Sequence, residues 1–205
     1  NVSYQNILGV GASFTDSSAY LINSVLSNSD RDALMEKLFS KDKGIGISFI
    51  RNPMGSSDFS RTFYSYDDQE AGETDEDLSD FSIAHDQEDI IPLVKQALAL
   101  NPDLKVMMSP WSPPAWMKTS DNMVGGSLLS KYFAQYAQYF VKTIQAYQQE
   151  GIDLFAVTVQ NEPLYVPKNY AGSGMSADQQ ANFIKNALKP AFIEAGIDTK
   201  ILAYD

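Results

Sequence analysis

The chain has 205 residues, 44% of them hydrophobic and 20% charged, a balance that suits a folded domain with a sizeable core and argues against intrinsic disorder. Its 26 acidic and 15 basic side chains leave a net charge of -11, which repels phosphate backbones and anionic bilayer surfaces, so no nucleic acid partner is expected. Cysteine is absent, which removes disulfides, thiolate nucleophiles and cysteine-ligated zinc from consideration.

Taken in chain order, the first apolar, β-prone run is Ile7 to Ser13. It contains Gly9-Val10-Gly11, which hints at a dinucleotide loop, but Phe14 stands where that fingerprint requires its third glycine. Upstream, Asn1-Val2-Ser3 forms a glycosylation sequon, a pattern short enough to arise by chance. A helix is expected over Asp30 to Phe39 and a second strand over Ile45 to Asn52. The stretch from Asp67 to Asp80 then gathers Asp67, Asp68, Glu70, Glu73, Asp75, Glu76, Asp77 and Asp80. Without the glycine and spacing of an EF-hand loop it reads as a solvated acidic loop.

His85 is the chain's one histidine. It precedes Asp86, a candidate helix cap with Asp89 three residues on, so a surface or capping role is expected and catalysis must rest on carboxylates. A helix follows over about Asp89 to Leu100, and a third strand over Leu104 to Ser109. Leu129, Tyr132, Phe133, Tyr136, Phe140, Val141, Ile144 and Tyr147 recur at helical spacing, opposite Lys131, Gln135, Gln138, Lys142 and Gln149. That stripe is core packing. The fourth strand is Leu154 to Gln160, a further helix covers Ala177 to Ala195 with a kink or restart at Pro190, and Ile201 to Tyr204 is the fifth strand.

Strands alternating with helices, without hairpin turns, predict an α/β architecture with a parallel sheet, either doubly wound or closed as a (β/α)8 TIM barrel. Five repeats in 205 residues average about 40 residues each, so eight would need about 330. Residues 1–205 are therefore expected to form one partial barrel domain that ends before strands six to eight.

Carboxylate chemistry has one outstanding candidate. Glu162 follows the fourth strand directly, at the mouth where barrel enzymes keep their reacting groups, flanked by Asn161 and Pro163. A partly desolvated carboxyl there would retain a proton for a leaving oxygen, although a purely structural Glu-Pro turn fits the same letters. The second strand is followed by Asp58 and Phe59, and the third by Ser109-Pro110-Trp111-Ser112-Pro113-Pro114-Ala115-Trp116. Flat rings beside carboxylates suit sugars, whose ring faces are apolar and whose edges carry hydroxyls; a proline-rich packing corner is the alternative for the Trp segment.

Four ordered motifs give the chain a resemblance to glycoside hydrolase family 30, which includes glucosylceramidases and endo-β-1,6-glucanases. They are Gly9-Val10-Gly11-Ala12-Ser13-Phe14-Thr15-Asp16, Ile50-Arg51-Asn52-Pro53-Met54-Gly55-Ser56-Ser57-Asp58-Phe59-Ser60, Ser109 to Pro114, and Thr158-Val159-Gln160-Asn161-Glu162-Pro163. The resemblance implies a TIM barrel and a retaining β-glycosidase that needs no metal or cofactor, with Glu162 as acid/base. It further implies that Asn161 bonds the sugar 2-hydroxyl or the nucleophile and that Asp58 and Trp111 hold the sugar, with Phe59, Tyr165 and Asp205 bordering the same pocket. The nucleophile implied is a second glutamate at the end of strand seven, beyond these residues, so the rest of the same catalytic domain counts as a required partner. The Gln160 and Pro163-Leu164-Tyr165-Val166-Pro167 segments favour an endo-β-1,6-glucanase acting on β-glucan, with glucosylceramidase or exo-β-glucosidase as the alternative. A non-catalytic carbohydrate-binding fragment built on Trp111, Trp116 and Tyr165 is the alternative from another class.

No run approaches the about 18 apolar residues of a bilayer span, so no stable membrane insertion is expected. Asn1 to Asn6 lack the segments of a signal peptide, and the expected extracellular location supposes that such a signal has been removed.

Overall fold

The computed structural model describes residues 2–205; Asn1, and with it the sequon, lies outside the described residues. Five strands form one sheet in simple sequence order with every pairing parallel: β1 (Gly11–Ala12), β2 (Phe49–Pro53), β3 (Lys105–Ser109), β4 (Leu154–Thr158) and β5 (Lys200–Leu202). Sequential parallel order with a helical crossover between neighbours is how the staves of a βα barrel follow one another, and it is not the reversing order of a doubly wound sheet.

The expected strands all form with shifted bounds: each is shorter than expected at one end or both, while β2 runs on to Pro53 and β5 starts at Lys200. The trimming is greatest in β1, where Ile7, Leu8 and Val10 are exposed and the paired register is only Gly11 to Phe49 and Ala12 to Ile50. Gly11 has a packing reason: a Cβ there would meet the Phe49 carbonyl oxygen at 1.3 Å, so the missing side chain lets β1 lie on β2.

The connecting helices are α1 (Asp16–Tyr20), α2 (Asn28–Phe39), α3 (Ala84–Glu88), α4 (Ile90–Leu100), α5 (Phe133–Gln149), α6 (Ala177–Phe183) and α7 (Lys189–Glu194). α1 and α3 were not anticipated, each being too short for a helical apolar period to register. The expected helix Ala177 to Ala195 is one run interrupted by a π turn at Ile184–Leu188, with Pro190 in the first turn of α7, directly after that widened turn. On α5 the predicted stripe is buried, with Tyr139 added to it.

In the region between β2 and α4 one expectation fails and another holds only in part. Asp86 caps nothing: it is fully buried within α3 and accepts hydrogen bonds from the hydroxyls of Tyr64 (3.0 Å), Tyr66 (2.5 Å) and Tyr147 (2.5 Å). His85 is half-buried, stacked on Tyr64 and bonded through Nε2 to Asp16 Oδ1 at 2.8 Å. The acidic stretch is solvated as expected at Asp68, Glu70, Glu73, Glu76, Asp77 and Asp80 and departs from the expectation at two residues. Asp75 is buried where it accepts from the Asp80 N–H (2.8 Å) and the Ser79 hydroxyl, and Asp67 is buried beneath Trp116, whose indole N–H donates to its Oδ2 at 3.1 Å. Burial, and then the nearby Asp75 charge, push the Asp67 carboxyl up to about 6. Among the described residues no helix is long and apolar enough to cross a membrane.

Candidate active site

The polar ends of β2, β3, β4 and β5 meet around one carboxylate. Arg51 on β2 forms an ion pair with Asp205, which follows β5. The same carboxylate oxygen accepts from Ser109 Oγ on β3 (2.7 Å) and Thr158 Oγ1 on β4 (3.0 Å). Arg51 also donates from Nη2 to Asn161 Oδ1 at 2.8 Å, and its guanidinium lies 5.1 Å from the centroid of Trp111. Residues separated by up to 154 positions are thus tied by charge-assisted bonds at one end of the sheet.

Glu162 sits beside this cluster. The backbone of its neighbour is fixed, because the Asn161 N–H donates to the Pro110 carbonyl at 2.8 Å and Gln160 Nε2 donates to the Trp111 carbonyl at 2.7 Å. These bonds join the segment after β4 to the segment after β3. Glu162 itself has φ of +42°, in the left-handed region that side chains other than glycine rarely adopt. It opens a turn closed by the Tyr165 N–H donating to the Glu162 carbonyl at 2.8 Å, with Pro163 at the second turn position where its fixed φ fits. The side chain is exposed, so the partial desolvation expected for it is not observed among the described residues.

Glu162, Pro163, Leu164, Tyr165, Tyr204 and Asp205 line a cleft of about 260 Å³. A larger cavity of about 620 Å³ lies between α5, α7 and the acidic loop and contains none of these residues. Burial raises the Tyr170 phenol, and the neighbouring Tyr165 and the charges of Glu162 and Asp58 add to it.

The sequence-predicted residues thus divide. Asn161, Trp111 and Asp205 are joined through Arg51; Glu162, Tyr165 and Asp205 share the cleft; Asp58 is exposed on the loop after β2 and no hydrogen bond among the described residues joins it to either group. Phe59 adjoins Asp58 but is 64% exposed. Trp116 is buried, which removes it from the exposed platform that a binding-only fragment would need. Arg51, Ser109, Thr158 and Tyr170 were overlooked as site residues. The first three lie inside or beside the motifs singled out, and their signal was their place at strand ends rather than their residue type.

The sequence model of the glycosyl hydrolase family 30 TIM-barrel domain matches residues 7–205. The chain is 39% identical to an endo-1,6-beta-D-glucanase of Neurospora crassa over 98% of its own length and 42% of that relative's. It is also 39% identical to putative glucosylceramidase 4 of Caenorhabditis elegans, over 99% of this chain and 40% of that one. Among solved structures, the endo-beta1,6-glucanase BT3312 superposes with a TM-score of 0.90 at 39% identity, covering 98% of this chain and 45% of that one. The chain spans less than half the length of these relatives.

Proposed function

The chain belongs to glycosyl hydrolase family 30, and from that membership we propose that the full-length protein hydrolyses β-glucosidic bonds with retention of configuration, as an endo-β-1,6-glucanase with Glu162 as acid/base. The observation that carries this reading is the arrangement at the strand ends, where Glu162, Tyr165 and Asp205 surround one cleft and Asn161, Arg51 and Trp111 are linked alongside.

In this reading Glu162 donates its proton to the leaving glycosidic oxygen while a second carboxylate, about 5–5.5 Å away, attacks the anomeric carbon. Glu162 then takes a proton from the water that displaces the covalent sugar. Asp205 does not suit the attacking role. Its Oδ2 already accepts from Arg51, Ser109 and Thr158, which commits its charge to holding strand ends together. We assign the nucleophile to sequence of the full-length protein outside these 205 residues, in keeping with the 42% of the Neurospora crassa relative that the chain spans. Trp111 and Phe59 offer ring faces to the sugar, Asp58 and Asn161 its hydroxyl partners, and Tyr165 one wall of the cleft.

The names of two relatives favour a β-1,6-glucan substrate and an extracellular place of work, since a polymer of that kind does not cross membranes. A glucosylceramide substrate is the second reading, favoured by the 39% identity to the Caenorhabditis elegans relative. Linear β-1,6-glucan, an aryl β-glucoside and glucosylceramide offered to the full-length protein separate the two. Glu162→Gln should lower kcat on the preferred substrate by about 10²–10⁴-fold. Turnover at the wild-type rate in that variant would overturn the assignment of Glu162.

A further inference from the structure

Lys118 is buried, 3% exposed, and no carboxylate forms an ion pair with it among the described residues. A buried ammonium needs every N–H satisfied, and this one has three acceptors for three protons. Nζ donates to Ser112 Oγ at 2.8 Å, to the Met123 carbonyl at 2.9 Å and to the Gly172 carbonyl at 3.0 Å. The Ser112 hydroxyl turns its own proton to the Pro113 carbonyl (2.7 Å), leaving a lone pair for the lysine.

These acceptors come from two loops, the one between β3 and α5, which also carries Lys118, and the one between β4 and α6. Ser112 follows Trp111 in the segment after β3, Met123 lies in the excursion that precedes α5, and Gly172 lies in the loop that carries Tyr165 and Tyr170 away from Glu162. Around the ammonium the same segments are laced by backbone bonds. The Gly172 N–H donates to the Met123 carbonyl (3.0 Å), Gly174 to Gly126 (2.9 Å), and Met175 to Pro163 (2.9 Å). The Lys118 ammonium bonds acceptors in both loops at once. Its isolation from any counter-charge makes a purely stabilising role an expensive solution, because burial without a partner pushes the ammonium down to about 7.

We propose that Lys118 is a positioning residue for the reaction assigned above, its ammonium clamping the loop of Tyr165 and Tyr170 against the Trp111 segment so that the cleft beside Glu162 keeps its shape. The proposal rests on that functional reading. In the full-length protein, Lys118→Met keeps much of the stem and removes all three donors. With β-1,6-glucan as substrate its KM should rise about tenfold while kcat stays within about threefold of wild type, measured where circular dichroism shows the variant folded. Amides of residues 163–175 should exchange hydrogen faster, a readout that needs no substrate. A lysine that merely stabilised the fold would lower the melting midpoint and leave KM unchanged, and that result, or unchanged exchange in the loop, overturns the proposal. If Lys118→Met does not fold, Ser112→Ala takes its place: a KM raised by about threefold supports the clamp and a wild-type KM overturns it. A wild-type protein that does not cleave β-1,6-glucan while loop exchange still accelerates in the variant would instead count against the functional reading and leave the clamp standing.

Discussion

Asp16 carries the densest set of charged contacts outside the cleft. It is 2% exposed and accepts from the Arg61 backbone N–H (2.7 Å), Arg61 Nε (3.0 Å) and Nη2 (2.8 Å), and His85 Nε2 (2.8 Å). Burial by itself would raise this carboxyl, but the side-chain and backbone bonds from Arg61 and the bond from His85 outweigh it and hold the group at about 2. A carboxyl depressed in the folded state stabilises the fold above its unfolded value, near 3.8, and loses that contribution as pH falls toward about 2. Asp16→Asn in the full-length protein should therefore cost on the order of 2 kcal/mol in urea unfolding at about pH 7. The gap from wild type should narrow steadily between about pH 4 and pH 2. A gap that holds constant across that range would mean the stabilisation is not carried by the ionised carboxylate. The Arg61 guanidinium also lies 4.3 Å from the centroid of Tyr20, so the same residue anchors α1 to the loop after β2.

At the scale of elements, α6 shows how a local signal sets a boundary. Ser176 Oγ accepts from the Gln179 N–H and Gln179 Oε1 accepts from the Ser176 N–H, both at 3.2 Å, a reciprocal cap for the first turn. Ser176→Ala should lower thermal stability by about 1 kcal/mol. An unchanged melting midpoint would show that the packing of Phe183 against Phe133 and Tyr136, not the cap, fixes where α6 begins. Signals of this kind explain what was legible beforehand. The strands β2 to β4 and the stripe of α5 were readable because an apolar run between breakers and a 3.6-residue period are properties of neighbouring residues. The places of Glu162, Asn161 and Trp111 just beyond strand ends were readable for the same reason. Asp86, Asp67 and Lys118 were not, since an acid or a lysine in a polar stretch looks the same whether it faces water or three tyrosine hydroxyls. Their burial is decided by segments tens of positions away: Tyr147 lies 61 residues from Asp86, and Gly172 lies 54 from Lys118.

Over the whole molecule, the sheet has β1 and β5 as its outermost strands among the described residues, and exposed apolar side chains flank both. Val2, Ile7, Leu8 and Val10 are exposed on one side, and Leu202 and Tyr204 on the other. Outermost strands flanked by exposed apolar side chains invite pairing between molecules. Residues 1–205 produced alone should therefore aggregate or melt without cooperativity, as read by light scattering and circular dichroism, whereas a longer form of the protein should not. A soluble monomer with a sharp transition would refute this. The bonds that lace the segments after β3 and β4 to one another bear on how such a scaffold diversifies. Two loops that share their internal contacts do not vary separately, so a chimera that transplants one without the other inherits mismatched halves, and the inheritable unit of specificity at this mouth is the pair.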